Sequence, residues 1–222
     1  MERRPGFLFD LDGTLIDSVY HHVLAWRDAL ERAGIELSVW RIHRKVGMSG
    51  GLFANALLRE TGREVTKEDA ELLRRLHAEA YAQRASQIRP LPGALDLLRE
   101  LTEAGALWAI ATSGYRESAG PTIELLRVPD DVPIITRDLV QRAKPDPDLF
   151  LAAAEKLGVD IENCVVVGDS VWDLLAARRA RALGIGFLSG GYGREELERA
   201  GAYRVYEDPA DLLAHLDEVG MR

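Results

Sequence analysis

The chain has 222 residues, a formal charge of -8, 47% hydrophobic and 29% charged side chains, which suits a globular protein with a substantial core and no extended disorder. The acidic balance disfavours nucleic acid or an anionic membrane as principal partner, because either rewards a basic face, yet it leaves room for a small anion held by a local site. No apolar stretch approaches the roughly 20 residues that cross a bilayer, MERRPG leads into a strand rather than a signal-peptide core, and the single cysteine, Cys164, forbids an intrachain disulfide; a cytoplasmic protein is expected.

In chain order, the first element is the apolar run GFLFDL, a buried strand that ends by bringing Asp10 and Asp12 close together. Two like charges at a buried strand end are costly unless a cation or some chemistry compensates. From about Asp17 to Arg89 no strand-like run occurs and the pattern is helical. Val19, Val23, Trp26 and Leu30 give one apolar face, and LFANALLRETG and KEDAELLRRLHAEAYAQRA continue as helices with charged outer faces. IRPLPGALDLL, with Pro90 and Pro92, reads as a return hinge. The apolar runs LWAIATS, PIIT, CVVVGDS and IGFLSG follow, separated by helical patterns. One of these helices begins at KPDPDLF, with Asp146 as expected N-cap, Pro147 at the first helical position and Gly158 just past the end. Cys164, inside NCVVVGD, reads as a packed core thiol.

Short strands buried on both faces and alternating with helices predict an α/β fold, a doubly wound parallel sheet. Residues 1–16 and 90–222 form the core in this reading, and residues 17–89 a helical insert between its first two strands. Ligands of open parallel sheets bind beyond the carboxyl ends of the strands. That rim collects Asp10 and Asp12 from the first strand, Thr112, Ser113 and Gly114 from the second, Lys144 from a loop after the third, and Gly168, Asp169 and Ser170 from the fourth, with Asp173 beginning the next helix. Four acids with one lysine repel unless a cation sits among them, and an all-oxygen set suits a hard ion, Mg²⁺. Thr112, the amides of Ser113 and Gly114, and Lys144 offer hydroxyl, N–H and point charge to a phosphate. A phosphate ester is the substrate this predicts. Taken singly, Asp169 or Asp173 could serve only as a helix cap; their joint placement on one rim argues for more.

Four motifs in order, DLDGT, LWAIATSG, AKPDPDLF and VVVGDSVWD, resemble the haloacid dehalogenase superfamily, most of whose members are phosphohydrolases, and the likeness spans essentially the whole chain. The resemblance implies a Rossmann-like core with a helical cap. It makes Asp10 the nucleophile that forms an aspartyl-phosphate, and Asp12 the group that protonates the leaving oxygen and then deprotonates water. Mg²⁺ would be held by the Asp10 side chain, the Asp12 carbonyl and Asp169, with Asp173 a nearby ligand or supporting acid, while Lys144 and Thr112 hold the transferring phosphoryl group. Gly13 and Thr14 of DLDGT, with Ser113 and Gly114, fall beside the substrate by the same likeness.

An insert after the first motif looks like the family's mobile cap, and too few residues separate Thr112 from Lys144 for the alternative α/β cap. Within it the loop RIHRKVGMSGG could bring Arg44 and Lys45 to a second anionic group of the substrate. His22 stands in YHHVLAW where the family's hexose-phosphate mutases and related phosphatases carry a histidine, near hinge and site; His21, His43, His77 and His215 lack metal-ligand spacing and read as structural. Asp12 argues against a dehalogenase, and Gly168-Asp169, together with Gly50 in the cap, against a β-phosphoglucomutase. Phosphonatases place a Schiff-base lysine in the cap; Lys45 is a conceivable candidate, but nothing around it in the sequence indicates the depressed pKa such chemistry needs. The expectation is a phosphatase of small phosphorylated metabolites, of the phosphoglycolate phosphatase-like type, acting as monomer or homodimer. A phosphosugar mutase is the nearest alternative, with a phosphonatase or a non-catalytic binding module behind it.

Overall fold

Each apolar run singled out above becomes a strand of one parallel sheet in the computed structural model, which describes residues 5–48, 50–62 and 66–221. The chain opens with β1 (Gly6–Phe9) and the two-residue β2 (Ile16–Asp17), then runs through four helices, α1 (Val19–Arg32), α2 (Val39–His43), α3 (Gly50–Glu60) and α4 (Lys67–Ala82). It returns through β3 (Arg89–Pro90) to α5 (Ala94–Glu103), β4 (Trp108–Ala111), α6 (Arg116–Glu124) and β5 (Ile134–Ile135). The remainder is α7 (Asp148–Leu157), β6 (Cys164–Gly168), α8 (Val171–Ala180), β7 (Leu183–Phe187), α9 (Arg194–Ala200), β8 (Ala202–Tyr206) and α10 (Pro209–Ala214).

The sheet order is β5-β4-β1-β6-β7-β8, every pairing parallel. The chain leaves β1 for β4 and β5 on one side and comes back to β6 on the other, so the order switches around β1. Register makes this switch a site: Phe9 sits opposite both Ile110 and Val167, and three strands therefore end level. Along β1 the side chains alternate as a strand requires. Phe7 and Phe9 join one apolar cluster with Leu97, Leu101 and Ile110, while Leu8 joins the opposite one with Phe150, Val166 and Ala177.

The helical segment has an apolar cluster of its own, in which Val23, Trp26 and Leu30 of α1 meet Ile42, Phe53, Leu57 and Leu73. Its entry and exit lie side by side, because β2 and β3 pair antiparallel through Ile16 with Pro90 and Asp17 with Arg89. This small ribbon gave no apolar run to read.

Two local expectations are corrected. Helix α7 begins at Asp148 with Pro147 in the N-cap position, so Asp146 lies outside it. The turn that carries Lys144 uses Asp146, whose N–H donates to the Ala143 carbonyl at 3.2 Å. At the other end Gly158 closes α7 in the left-handed conformation, as expected. The sheet also gains β8 at its edge, a strand with Tyr203 and Arg204 exposed and only Val205 and Tyr206 buried. Cys164 is buried, and burial pushes its thiol up to about 11, in keeping with an inert packed thiol. Among the described residues no helix is long and apolar enough to cross a membrane.

Candidate active site

The strand ends deliver their acids to one buried point. Asp10 follows β1, its N–H donating to the Val167 carbonyl of β6 at 2.9 Å, so sheet pairing itself fixes where this carboxylate begins. Lys144, fully buried, reaches in from the β5–α7 loop, its Nζ in a short ion pair with Asp10 Oδ1 and 2.7 Å from Asp173 Oδ1. Asp173 also caps α8: its Oδ2 accepts the Ser170 N–H at 3.1 Å and the Ser170 hydroxyl at 2.5 Å. Asp169 accepts the Thr14 hydroxyl at 2.9 Å. One carboxylate oxygen from each of Asp10, Asp169 and Asp173 lies within 4.8 Å of the others, and all three residues are buried. Such a set could hold a divalent metal.

Backbone freedom makes room for it. Gly13 has φ 84°, and a Cβ there would stand 2.4 Å from Asp169 Oδ2. Gly190, in the loop after β7, approaches still closer, its notional Cβ 1.9 Å from the same oxygen. Any side chain at either position would displace Asp169.

The charges are unequal. Burial drives Asp10 up to about 7 even though Lys144 pulls it down, and burial with the Asp173 charge beside it pushes Asp169 well above the carboxylate range. Burial opposes the Lys144 ammonium, but Asp10 and Asp173 outweigh it and hold Lys144 charged. The rim is thus short of positive charge, the condition a hard cation relieves.

Asp12 stands apart from the cluster. Its Oδ1 accepts the Ser18 hydroxyl at 2.6 Å and lies 3.2 Å from His22 Nε2. Burial would raise it, yet His22 and Ser18 prevail and keep its carboxyl below the usual value. His22 Nδ1 is in turn 3.1 Å from His77 Nε2, and its ring lies flat on Tyr81, centroids 4.0 Å apart. The tautomer that donates Nε2–H to Asp12 leaves Nδ1 to accept from His77. Burial drives His77 well below the ordinary histidine value, so it sits neutral in this chain.

A cavity of about 150 Å³ opens on the rim between the sheet and the helical segment, lined by Asp10, Asp12, Thr112, Ser113 and Gly114 below and Trp26, Met48, Arg74 and His77 above. Wider hollows exist, such as one of about 400 Å³ beside Leu98 and Trp108, but among the described residues the only acid cluster suited to a metal is at the rim. Within the cavity the Gly114 N–H donates to Thr112 Oγ1 at 3.0 Å, so this amide, expected to face a phosphate, already has a partner. The Ser113 hydroxyl donates to the Gly47 carbonyl at 3.3 Å, tying the rim to the helical segment.

Arg44 and Lys45 do not line this cavity. Arg44 pairs with Glu196 and Lys45 with Glu60, so these two side chains turn toward α9 and α3, while Gly47 and Met48 of the same turn face the rim. The loop expected from residue 41 to 51 is instead the end of α2, a turn and the start of α3, with Ser49 outside the described residues. The cation on the cavity wall is Arg74, whose Nη1 lies 3.4 Å from the Tyr115 hydroxyl. His77, read as structural, lines the cavity too, and His43 bonds the Gly190 carbonyl at 2.7 Å. Arg74, His77 and Tyr81 follow at steps of three and four along α4, a spacing that puts them on one helix face and was open to reading.

Buried acids and a buried lysine at the carboxyl ends of parallel strands give this α/β fold a candidate active site at its topological switch. Residues 5–181 match the haloacid dehalogenase-like hydrolase family, and the chain belongs to it. It is 36% identical to hexitol phosphatase A of Escherichia coli (strain K12) over 80% of each chain, and 32% identical to a phosphoglycolate phosphatase of Agrobacterium fabrum (strain C58 / ATCC 33970) over 84% of this chain and 81% of that one. A crystal structure of a hydrolase from Pseudomonas syringae superimposes with a TM-score of 0.95 at 55% identity, covering 98% of this chain and all of the other.

Proposed function

We propose that the protein is a Mg²⁺-dependent phosphatase of small phosphate monoesters that works through an aspartyl-phosphate on Asp10. The observation that carries this reading is the buried junction itself, where Asp10 meets the Lys144 ammonium within reach of Asp169 and Asp173. The phosphatase names of the two curated relatives support it. The donor set is all oxygen, buried and under-neutralised, and so fits a hard divalent ion. The Asp10 side chain, the Asp12 carbonyl and Asp169 would hold it, and when bound it supplies positive charge to the phosphoryl oxygens. Asp173 is better suited to aiming Lys144, since one of its oxygens faces that ammonium and the other takes Ser170.

In this reading an Asp10 oxygen attacks phosphorus and the ester P–O bond breaks, the leaving oxygen taking a proton from Asp12. Water then loses a proton to Asp12, attacks the same phosphorus and breaks its bond to Asp10, releasing phosphate. Asp12 as held is a carboxylate ready for the second half, and the proton it takes from water there is the one it gives to the next leaving oxygen. Lys144 and Thr112 hold the phosphoryl oxygens, where positioning and charge do most of the catalysis. Residues 17–89 act as a cap hinged at the β2–β3 ribbon, closing Trp26, Arg74 and His77 over the leaving group and excluding bulk water. The cavity of about 150 Å³ favours a small ester.

The test is phosphate release from an aryl phosphate and from a panel of sugar and carboxylate phosphates with Mg²⁺. Wild type should yield free phosphate rather than an isomer, and Asp10→Asn should lose about 10³-fold or more in kcat while retaining its fold. An isomer without free phosphate would mean a mutase, and an equally active Asp10→Asn would remove the nucleophile.

A further inference from the structure

We infer that Arg44, Tyr192 and Glu196 form a clasp that holds the helical segment shut over the rim and so sets how tightly substrate is retained. The inference rests on the reading of residues 17–89 as a cap. These are positioning residues, none of which lines the cavity.

The segment is joined covalently to the core at the β2–β3 ribbon. Away from that ribbon it meets the strap between β7 and α9 through a dense set of polar and ring contacts. The Arg44 guanidinium engages both oxygens of Glu196, one through Nη1 at 3.2 Å and the other in a shorter contact from Nη2. A bidentate pair of this kind fixes direction as well as distance. The same guanidinium lies 4.4 Å over the Tyr192 ring, and the Tyr192 hydroxyl donates to the Arg44 carbonyl at 3.0 Å. One residue before, His43 bonds the Gly190 carbonyl and stacks its ring on Tyr20, centroids 5.3 Å apart.

Each half is anchored in its own body. Tyr192 is buried in a core cluster with Leu174, Leu197 and Val205, whereas α2 docks through Ile42 into the separate cluster of the helical segment. Glu196 is held in place by the Gly193 N–H at 2.9 Å at the start of α9. Parting the two bodies would break the clasp and leave both clusters whole, as expected of a closure contact. The strap also reaches the chemistry: Gly190, which receives His43 on its carbonyl, is the residue packed against Asp169. Closing the segment and setting the position of Asp169 therefore share one loop.

Arg44 and Glu196 side chains are 38% and 41% exposed, so solvent screens their attraction, and removing it should shift the open–closed balance by about 5-fold. The test compares wild type with Arg44→Ala, Glu196→Gln and the double variant. In the resting protein, hydrogen exchange of amides in residues 39–48 should quicken in both single variants. With an aryl phosphate, KM and the inhibition constant of inorganic phosphate should each rise in the same proportion, by at most about 5-fold, with kcat unchanged or higher. The double variant should match Arg44→Ala, because the contact that Glu196→Gln weakens is already lost there. Unchanged exchange and KM, a fall in kcat at constant KM, or additive effects in the double variant would overturn the clasp. Should wild type release no phosphate from any ester while exchange still quickens in the variants, the clasp stands as a closure device and the phosphatase reading falls.

Discussion

Replacing Lys144 by Met removes a buried cation of similar length and leaves its partners in place. Asp10 Oδ1 and Asp173 Oδ1, now bridged by one ammonium, would face each other beside Asp169 with nothing between them. Taking one partner from a buried ion pair costs about 3–5 kcal/mol, because the remaining charge stays desolvated. In a chain of this size each kcal/mol moves the thermal midpoint by about 2–4 °C, so the substitution should lower it by about 6–20 °C. The loss has a pH signature. Without Lys144 the carboxyls can escape repulsion only by binding protons, so the variant should be hurt least near pH 5 and most near pH 8. Saturating Mg²⁺ should return a larger share of stability to the variant than to wild type, since it restores positive charge to the same oxygens. Scanning calorimetry over pH, with and without Mg²⁺, measures all three. An unchanged midpoint, or a loss equal at both pH extremes, would show that Lys144 does not neutralise this cluster, and activity could then not be argued from its charge.

Two further outcomes follow from the same oxygens. Asp10, raised from its ordinary 3.8 to about 7 chiefly by burial, binds a proton on folding between those values, so its contribution is complete below 3.8 and fades as pH rises through 7. The metal-free protein should therefore lose stability across that window, and Mg²⁺ should raise the midpoint more at pH 8 than at about pH 5.5; equal shifts would contradict it. Gly190→Ala would force a methyl to within 1.9 Å of Asp169 Oδ2, and moving a ligand or its support typically costs about 10–100-fold in metal affinity. Activity against Mg²⁺ concentration should shift by that factor with kcat at saturation largely kept, and an unshifted curve would separate Asp169 from the metal.

What the chain disclosed in advance followed from how local each signal was. Strands β1, β4 and β6 are buried on both faces, so they appear as unbroken apolar runs, and the residue after each run falls on the rim whatever the rest of the fold does. That is why Asp10, Thr112 and Asp169 could be placed without coordinates. Strand β8 is an edge whose outer residues meet water, so Tyr203 and Arg204 break the pattern; the β2–β3 ribbon is too short to have one. Arg74 and His77 were hidden differently. They share α4 with the buried Leu73, Leu76 and Ala80, and a helix facing both a core and a cavity gives no clean stripe. The pairing of Arg44 has no sequence signal, because its partner, Glu196, lies 152 residues away and nothing along the chain links the two.

Asp173 shows why weighing single residues can pose the wrong choice. From the sequence it is either the cap of a helix or part of the chemistry, and these read as rivals. In the fold they are divided between two oxygens of one carboxylate. Oδ2 takes the Ser170 N–H and hydroxyl and starts α8, while Oδ1 faces the Lys144 ammonium. The cap fixes the rotamer, and the fixed rotamer aims the charge at Lys144, whose ammonium also meets Asp10. A helix terminus thus supplies the rigidity that a buried charge network needs. Loss of the cap and loss of the charge should consequently be inseparable at this position, whereas Ser170→Ala would loosen the aim and leave the charge in place.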